Sequence, residues 1–194
     1  MQGVMEEIAE SELVTASGRF RAVAFRDGGY EHLALVHGEP AAEGVLVRIH
    51  SECLTGDVFG ALRCECGAQL RSALDAIVAE GSGVLVYLRG HEGRGIGLVA
   101  KTRTHILQDT QGLDTIDSAT ALGLPVDVRD FGAAARVLAH LGISSVRLLS
   151  NNPVKVQSLV EHGIAVVGRV PLLEPVNQHN VRYLTAKRSR FAVR

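Results

Sequence analysis

The sequence predicts an α/β fold, namely a three-layer α/β/α sandwich with a mixed sheet whose antiparallel strands come from the N-terminal segment. Two patterns support this fold class. Short apolar segments separated by turns fill the first 50 residues, and strands then alternate with helices. Hydrophobic residues make up 46% of the 194 residues, which is enough for a sizeable core. We expect a single domain over 1–194, with about 10 N-terminal and about 20 C-terminal residues at its periphery.

The first half of the chain carries four predicted strands and one helix. Three strands, at 20–25, 32–36 and 45–49, are separated by turns that contain Gly and Asp. From Gln69 onward the apolar residues recur at helical spacing, and Gly81 follows at the position of a C-terminal cap. A short apolar run at 84–88 then predicts a buried strand.

The second half alternates helices with two further strands. A glycine-rich turn leads into a helix that ends near Asp109, and further helices are predicted at 118–122 and 131–141. A strand at 146–149, a helix from Pro153 to about His162 and a strand at 164–167 complete the pattern. Asn152 as N-cap and Pro153 as the first helical residue mark the start of this last helix.

Charge and hydropathy exclude two classes of partner. The formal net charge is −1, so the chain has no general field for the many phosphate contacts of non-specific nucleic-acid binding. The basic residues Lys187, Arg188, Arg190 and Arg194 are expected to form a solvated end. No apolar run approaches the roughly 20 residues of a membrane span, and the N-terminus lacks the features of a signal peptide. We therefore expect no nucleic-acid partner, no membrane partner and a cytoplasmic protein.

Three cysteines, Cys53, Cys64 and Cys66, are the only ones in the chain and lie within fourteen positions. Three thiolates in one loop can hold Zn²⁺ and leave its fourth tetrahedral position for water, which is the pattern of a catalytic site. Two alternatives remain open from the spacing alone: a structural site closed by His50, and thiols without a metal. In a cytoplasmic protein clustered cysteines more often bind metal or do chemistry than form disulfides.

Polar residues surround the cysteine loop in the sequence. Arg48 and Glu52 precede the first cysteine; Arg48 suits a phosphate, and Glu52 can accept bonds from an amino-bearing heterocycle or orient a metal ligand. In the glycine-rich segment 89–97, Glu92 matches the paired N–H donors of guanine and Arg94 suits phosphate. The partial dinucleotide fingerprint that begins at Gly95 is weak, because six residues separate it from the strand.

Two later segments also carry polar side chains that suit phosphate chemistry. Asp127 and Arg129 share one side of an extended segment, where they form either a catalytic pair or a simple surface ion pair. Ser150 and Lys155 flank a strand–helix turn whose amides and hydroxyl could cradle a phosphate. By itself this second segment is also compatible with an ordinary capped turn.

With these motifs in this order, the chain resembles GTP cyclohydrolase II, the family that starts riboflavin biosynthesis. The resemblance runs from about Gly18 to Pro171 and is carried by RIHSECLTGDVFGALRCECGAQL, YLRGHEGRGIGL, LQD followed by LDT, DVRDFG and LLSNNPVK. It implies a homodimer with one Zn²⁺ per subunit and with Mg²⁺ on the phosphates of GTP. The implied reaction converts GTP to 2,5-diamino-6-ribosylamino-4(3H)-pyrimidinone 5′-phosphate, with release of formate and pyrophosphate.

The resemblance also assigns roles to individual residues. Cys53, Cys64 and Cys66 match the zinc ligands, Asp127 the proton acceptor, and Arg129 a proposed nucleophile. Because a guanidinium stays protonated, clamping the α-phosphate is a better physical role for Arg129. The positions that match GTP contacts are Arg48, Ile49, His50, Ser51, Glu52, Gln69, Glu92, Gly93, Arg94, Thr115, Ser150 and Lys155.

Three positions depart from the pattern of the family. His105 stands where the family usually has a tyrosine implicated in ring opening, although a histidine can still move a proton near neutral pH. The connection at 110–112 is one residue longer, which could shift Thr115, and Ser150 replaces a common threonine. Two rival functions remain: a related hydrolase that stops at a formamidopyrimidine nucleotide, and a GTP-binding regulator without catalysis. A zinc deaminase is disfavoured because its signature motif is missing.

Overall fold

The computed structural model of the protein describes residues 5–172, 175–181 and 183–185. The chain divides into two compact units. The first unit takes in the described residues of Met1–His50, Gln69–Arg89 and Asp130–Leu173, and the second those of Ser51–Ala68, Gly90–Arg129 and Glu174–Arg194. The single-domain expectation stays a prediction. The basic residues Lys187, Arg188, Arg190 and Arg194 lie outside the described residues.

Within residues 5–172, seven strands and six α-helices follow one another along the chain. The strands are β1 (Glu7–Val14), β2 (Arg19–Asp27), β3 (Tyr30–His37), β4 (Val45–Ser51), β5 (Gly83–Leu88), β6 (Ser145–Leu149) and β7 (Ala165–Val170). The helices are α1 (Leu54–Asp57), α2 (Cys66–Glu80), α3 (Leu98–Gln111), α4 (Thr115–Ala121), α5 (Gly132–His140) and α6 (Pro153–Glu161). A short 3-10 turn at Glu92–Gly95 precedes α3.

The seven strands form one mixed sheet in the order β1-β2-β3-β5-β4-β6-β7. The pairs β1–β2, β2–β3 and β3–β5 are antiparallel, whereas β4–β6 and β6–β7 are parallel. This arrangement confirms the predicted mixed sheet with antiparallel strands from the N-terminal segment.

Helices of the first unit cover both faces of this sheet. Along β5, Val84 and Val86 join one buried cluster and Leu85 joins the other, as expected from the alternation of side chains along a strand. The cluster of Leu85 includes Ile77 of α2, and the cluster of Val84 includes Leu138 of α5 together with residues of α6. The predicted three-layer α/β/α sandwich is therefore confirmed.

Strand β1 is the one strand of this sheet that the sequence patterns did not indicate. All eight of its residues are exposed, so no alternation of buried and exposed positions marks it in the sequence. Cross-strand ion pairs join it to β2, among them Glu7 with Arg26 at 3.0 Å and Glu10 with Arg21 at 3.0 Å. Charged side chains on an edge strand also discourage pairing with other chains.

The capping residues predicted for α6 and α2 behave as expected. The side chain of Asn152 accepts a hydrogen bond from the backbone N–H of Val154, and Pro153 occupies the first helical position. Gly81 follows α2 with φ of +86°, a left-handed conformation that favours glycine. None of the helices in the described part of the chain has the length and apolarity that a bilayer crossing requires.

Candidate functional site

The second unit gathers the three cysteines into one cluster. Their sulfur atoms all lie within 4.8 Å of one another, and the Sγ atoms of Cys53 and Cys64 are 3.8 Å apart. Cys53 directly precedes α1 and Cys66 is the first residue of α2, so both sulfurs are attached to helix ends. Among the described residues of this unit, no His, Asp or Glu side chain completes the cluster as a fourth ligand. Three converging sulfurs without a fourth protein ligand fit the donor set of an open zinc site.

Gly56 of α1 lies against all three cysteines. A Cβ atom at this position would be 2.9 Å from Cys64 Sγ, 3.0 Å from Cys66 Cβ and 3.2 Å from Cys53 Sγ. Real Cβ atoms essentially never show the first of these distances, and the other two are tighter than nine in ten real Cβ contacts. The close approach of the three cysteines to residue 56 therefore requires a glycine there. No repeat or motif in the sequence marks this requirement.

The three thiols share negative charge unequally. Hydrogen bonds from Cys64 and Cys66, with the charge of Lys101, lower the pKa of Cys53 far below its usual range. Hydrogen bonding with the Cys53 sulfur raises the pKa of Cys64 to about 11, and the same kind of interaction raises the pKa of Cys66. Without a cation the cluster thus favours one thiolate beside two thiols. A bound divalent cation would favour the thiolate form of all three, because metal ligands are deprotonated, and the centre would carry a net charge of −1.

Lys101 of α3 has three acceptors in the second unit. Its Nζ atom lies 2.6 Å from Glu92 Oε1, 2.9 Å from Thr55 Oγ1 and 3.3 Å from Cys53 Sγ. Although burial opposes its charge, the hydrogen bond to Glu92 raises the pKa of Lys101, so it stays protonated at neutral pH. No sequence motif assigned a role to this lysine. The sequence feature that could have indicated one is its place four residues after the glycine-rich turn.

Glu92 is buried and both of its carboxylate oxygens have partners. Oε2 accepts from the backbone N–H of Leu54 at 2.7 Å, and Oε1 accepts from Lys101 and from the backbone N–H of Gly93 at 3.2 Å. The carboxylate therefore links the cysteine loop to α3. Its predicted contact with guanine stays a prediction.

The glycine-rich turn has an unusual backbone. Gly93 and Arg94 have φ of +60° and +66°, and Arg94 is the one non-glycine residue with positive φ among the described residues. The carbonyl oxygen of Arg94 accepts from the backbone N–H of Val128 at 3.1 Å. A Cβ on Gly95 would be 2.7 Å from Val128 Cγ2, so glycine permits this close approach. The turn thus lies directly against the segment that carries Asp127 and Arg129.

Asp127 and Arg129 form the predicted pair. The guanidinium of Arg129 donates to both carboxylate oxygens, with Nε to Oδ1 at 2.8 Å and Nη2 to Oδ2 at 2.6 Å. Burial opposes ionisation, but the hydrogen bonds and charge of Arg129 lower the pKa of Asp127. Arg129 Nη1 also lies 3.4 Å from Ser51 Oγ, which in turn is 3.2 Å from Nδ1 of His91. Asp127 is thus an ionised carboxylate at neutral pH, held in a fork with a cation.

Three further predicted residues belong to the second unit: Glu52, Thr115 and His105. Glu52 Oε2 accepts from the backbone N–H of Gly90 at 2.8 Å. Thr115 is the first residue of α4, directly after Asp114, whose carboxylate caps that helix. His105 lies in the middle of α3, where burial and the charges of Arg63 and Lys101 lower its pKa. His105 is therefore a neutral imidazole at pH 7.

The first unit holds the other predicted GTP contacts at the carboxyl ends of β4 and β6. Arg48 donates from Nη1 to the carbonyl oxygen of Leu149 and from Nη2 to Gln69 Oε1, both at 2.9 Å. Lys155 Nζ donates to the carbonyl oxygen of Ile49 at 2.8 Å. In open α/β sheets, ligands bind outside the carboxyl ends of the strands. This end of the sheet is therefore where such a fold places a ligand.

The polar side chains among these predicted contacts are all buried, namely Arg48, His50, Gln69, Ser150 and Lys155. Lys155 Nζ lies 5.4 Å from the centre of the Phe131 ring. The ring of His50 stacks on Tyr87 with a centroid distance of 5.4 Å. Ser150 Oγ accepts from the backbone N–H of Asn152 at 3.0 Å, which supports the turn that begins α6. Their contacts with GTP stay predictions.

Comparison with known proteins assigns the chain to a family. Residues 6–171 match the family described as GTP cyclohydrolase II. The GTP cyclohydrolase-2 of Streptomyces coelicolor is 57% identical over 189 residues, which cover 96% of this chain and 85% of that protein. The chain belongs to the GTP cyclohydrolase II family. It is an enzyme of this type, as the sequence analysis predicted.

Other relatives connect this family with a pathway. The riboflavin biosynthesis protein RibBA of Mycobacterium ulcerans and that of Mycobacterium tuberculosis H37Rv are each 50% identical over 194 residues. These matches cover 96% of this chain but 45% of the RibBA proteins, so the GTP cyclohydrolase II chain spans less than half of their length. The pathway that their names give is riboflavin biosynthesis.

A solved structure shares the fold. RibBX from A. baumannii, a two-domain 3,4-dihydroxy-2-butanone 4-phosphate synthase, aligns with a TM-score of 0.51 over 87% of this chain and 40% of that chain. The sequence identity is 20%, so this likeness concerns the α/β fold alone.

Proposed function

We propose that this GTP cyclohydrolase II family member hydrolyses GTP at the imidazole ring of guanine. The proposed products are formate, pyrophosphate and 2,5-diamino-6-ribosylamino-4(3H)-pyrimidinone 5′-phosphate, the first intermediate of riboflavin biosynthesis. The observation that carries the proposal is the cluster of three cysteine sulfurs within 4.8 Å in a chain that belongs to this family. Riboflavin synthesis is a cytoplasmic process in this proposal, and three thiols without a disulfide support that location.

Cys53, Cys64 and Cys66 would hold one Zn²⁺ per subunit. When bound, this ion would supply a Lewis acid that activates water for attack on the purine ring. The lack of a side chain at Gly56 supports the assignment, because it leaves room for the three sulfurs to lie close together. Mg²⁺ would accompany the triphosphate, as it usually does in phosphoryl chemistry.

Asp127 would accept a proton, and Arg129 would bind the α-phosphate. Asp127, ionised at neutral pH, is able to accept a proton during hydrolysis. Arg129 offers a planar fork of donors that suits the α-phosphate as charge develops on it, and it cannot act as a nucleophile while protonated. The ion pair with Asp127 supports a positioning role for Arg129, because it holds the guanidinium in one orientation.

Each unit carries its own set of proposed substrate contacts. Arg48, Ile49, His50, Gln69, Ser150 and Lys155 belong to the first unit, and Ser51, Glu52, Glu92, Gly93, Arg94 and Thr115 belong to the second. Arg48, Arg94 and Lys155 are the cations of this set, and they would bind phosphate oxygens. The place of the first group at the carboxyl ends of parallel strands supports this proposal.

A second candidate function follows from the position of His105, which stands where the family usually has a tyrosine implicated in ring opening. A neutral imidazole can accept or donate a proton, so it can replace the tyrosine of the family in ring opening. If it opens the ring without completing the reaction, the enzyme would stop at a formamidopyrimidine nucleotide. The two candidates therefore differ in whether the formyl group is retained.

Incubation of the purified protein with GTP, Zn²⁺ and Mg²⁺, followed by mass spectrometry, tests the proposal. Formate, pyrophosphate and the diaminopyrimidinone phosphate are expected. A nucleotide that retains the formyl group would favour the second candidate, and GTP binding without turnover would indicate a regulator and contradict both.

Cys64→Ser is expected to abolish product formation while circular dichroism shows a folded chain. Serine keeps the shape of the side chain but is a poor zinc ligand. Ala61→Ser in the same loop adds a hydroxyl without removing a sulfur and should retain activity. Full activity in Cys64→Ser would count against a catalytic metal.

The active form is proposed to be a homodimer. Large exposed apolar side chains in the cysteine loop support an interface there, above all Phe59, which is 76% exposed. Light scattering measures the mass in solution, and a strictly monomeric active protein would contradict this assembly.

A further inference from the structure

All three N–H donors of the Lys101 ammonium have acceptors inside the second unit. A lysine has three N–H donors, and Glu92 Oε1, Thr55 Oγ1 and Cys53 Sγ provide three acceptors within 3.3 Å. The side chains of Lys101 and Glu92 are 12% and 9% exposed, so solvent screens their interaction weakly. The lysine is therefore held in one orientation, with one donor on a sulfur atom of the cysteine cluster.

Glu92 accepts hydrogen bonds both from Lys101 and from the backbone beside Cys53. One carboxylate oxygen accepts from Lys101, and the other accepts from the backbone N–H of Leu54, the residue after Cys53. The carboxylate thus fixes both the ammonium that contacts Cys53 and the backbone that carries Cys53. Both of its oxygens are used in this arrangement.

The glycine-rich turn makes room for Lys101. A Cβ on Gly93 would lie 2.9 Å from Cβ of Lys101, and the φ of +60° at Gly93 itself favours glycine. Glycine at this position therefore lets α3 bring its lysine alongside the turn. This close packing gives the turn a role in placing the cation, besides any contact with a ligand.

We propose that Lys101 and Glu92 are positioning residues of the cysteine metal centre: Glu92 orients the Lys101 ammonium, whose hydrogen bond to Cys53 Sγ weakens that sulfur as an electron donor. The inference rests on the proposed zinc-dependent function. A charge-assisted hydrogen bond draws electron density from a thiolate, so the metal ion receives less and becomes a stronger Lewis acid. Three thiolates otherwise make a zinc ion a weak Lewis acid, and the lysine offsets this effect.

Spectra of the Co²⁺-loaded protein test the inference apart from turnover. A sulfur that loses a hydrogen bond gives up electron density more easily, so its sulfur-to-cobalt charge-transfer band moves to longer wavelength. Lys101→Met is expected to show this shift, Lys101→Gln a smaller one, and Lys101→Arg a spectrum close to wild type. Lys101→Gln retains an N–H donor and keeps the test available if Lys101→Met does not fold. Arg103→Met, an exposed position on the same helix, removes the same charge and should leave the band in place.

The pH profile of the Zn²⁺ enzyme gives a second measurement. We expect Lys101→Met to lose about tenfold or more in activity at neutral pH, since changes beside metal ligands typically cost this much. The midpoint of its rise in activity should move to higher pH, because a weaker Lewis acid activates water less readily. Lys101→Arg should restore much of both.

The outcomes separate this inference from the proposed function. Wild-type protein that bound neither Co²⁺ nor Zn²⁺ would overturn the zinc-dependent function, and the inference with it. If wild type binds metal and turns over GTP, but folded, loaded Lys101→Met keeps the wild-type band and pH midpoint, the inference alone is overturned.

Discussion

Gly56 lies against all three cysteines because it has no side chain. Its backbone does not have the left-handed conformation, so the absence of a Cβ, and not unusual dihedral angles, explains the glycine. Protein interiors are densely packed, and an added methyl group must displace its neighbours. Here the neighbours are two sulfur atoms and the Cβ of Cys66, which would have to move apart.

Gly56→Ala is expected to weaken Zn²⁺ binding by about tenfold or more, because displaced ligands lose their tetrahedral geometry. Chelator competition with a coloured zinc indicator measures the change. Gly168→Ala serves as a control, since a Cβ there would be 3.7 Å from Arg147 Cγ, an ordinary contact. Wild-type affinity in Gly56→Ala would show that the loop relaxes freely.

At the scale of elements, the described C-terminal residues 175–181 and 183–185 include contacts with the cysteine loop within the second unit. Asn177 Nδ2 donates to the carbonyl oxygen of Leu62 at 3.2 Å, and Asn180 and Leu184 are each 1% exposed. Burial, together with the charge of Glu65, raises the pKa of Tyr183. These residues belong to the last twenty, for which the sequence predicts peripheral structure, and Asn177 contacts the loop that carries Cys64.

Asn180→Ala should lower the free energy of unfolding by about 1–3 kcal/mol, because it removes two hydrogen bonds of a buried side chain, each worth about 0.5–1.5 kcal/mol. Asn180 Oδ1 accepts from the backbone N–H of Asn177, and its Nδ2 donates to the carbonyl oxygen of Pro175, both at 2.8 Å. Urea unfolding measures the loss, and faster cleavage of this segment by trypsin should accompany it. Gln178→Ala, an exposed neighbour, is the control, and equal stability of the two variants would contradict the prediction.

For the whole molecule, two histidines predict how stability depends on pH. Burial lowers the pKa of His32, whose Nδ1 accepts from the backbone N–H of Arg89 at 3.1 Å and cannot do so when protonated. Burial also lowers the pKa of His105. Because the folded pKa lies below the ordinary value, the unfolded chain binds protons first as the pH falls. Stability is therefore full above about pH 6.5 and is lost progressively below it.

Urea unfolding at pH 7.5 and pH 5.5 is expected to show a lower free energy of unfolding at the acidic value. His32→Gln, which cannot be protonated in this range, should reduce the difference between the two conditions. His140→Gln, at an exposed position of the same unit, should retain it. A difference that His32→Gln left unchanged would remove His32 as a cause.

The sequence by itself determined the α/β class, most helices and strands, the start of α6 and the choice of Cys53, Cys64 and Cys66 as the candidate metal-binding residues. These features depend on periodicity, capping and the spacing of the cysteines, all of which involve residues that are close together in the sequence. Only the tertiary structure decided that the exposed β1 pairs with β2, that Gly56 lies between the sulfurs, and that Lys101 contacts Cys53. The physical reason is that each of these contacts joins residues whose local patterns are ordinary, and the partner is selected by how the chain packs.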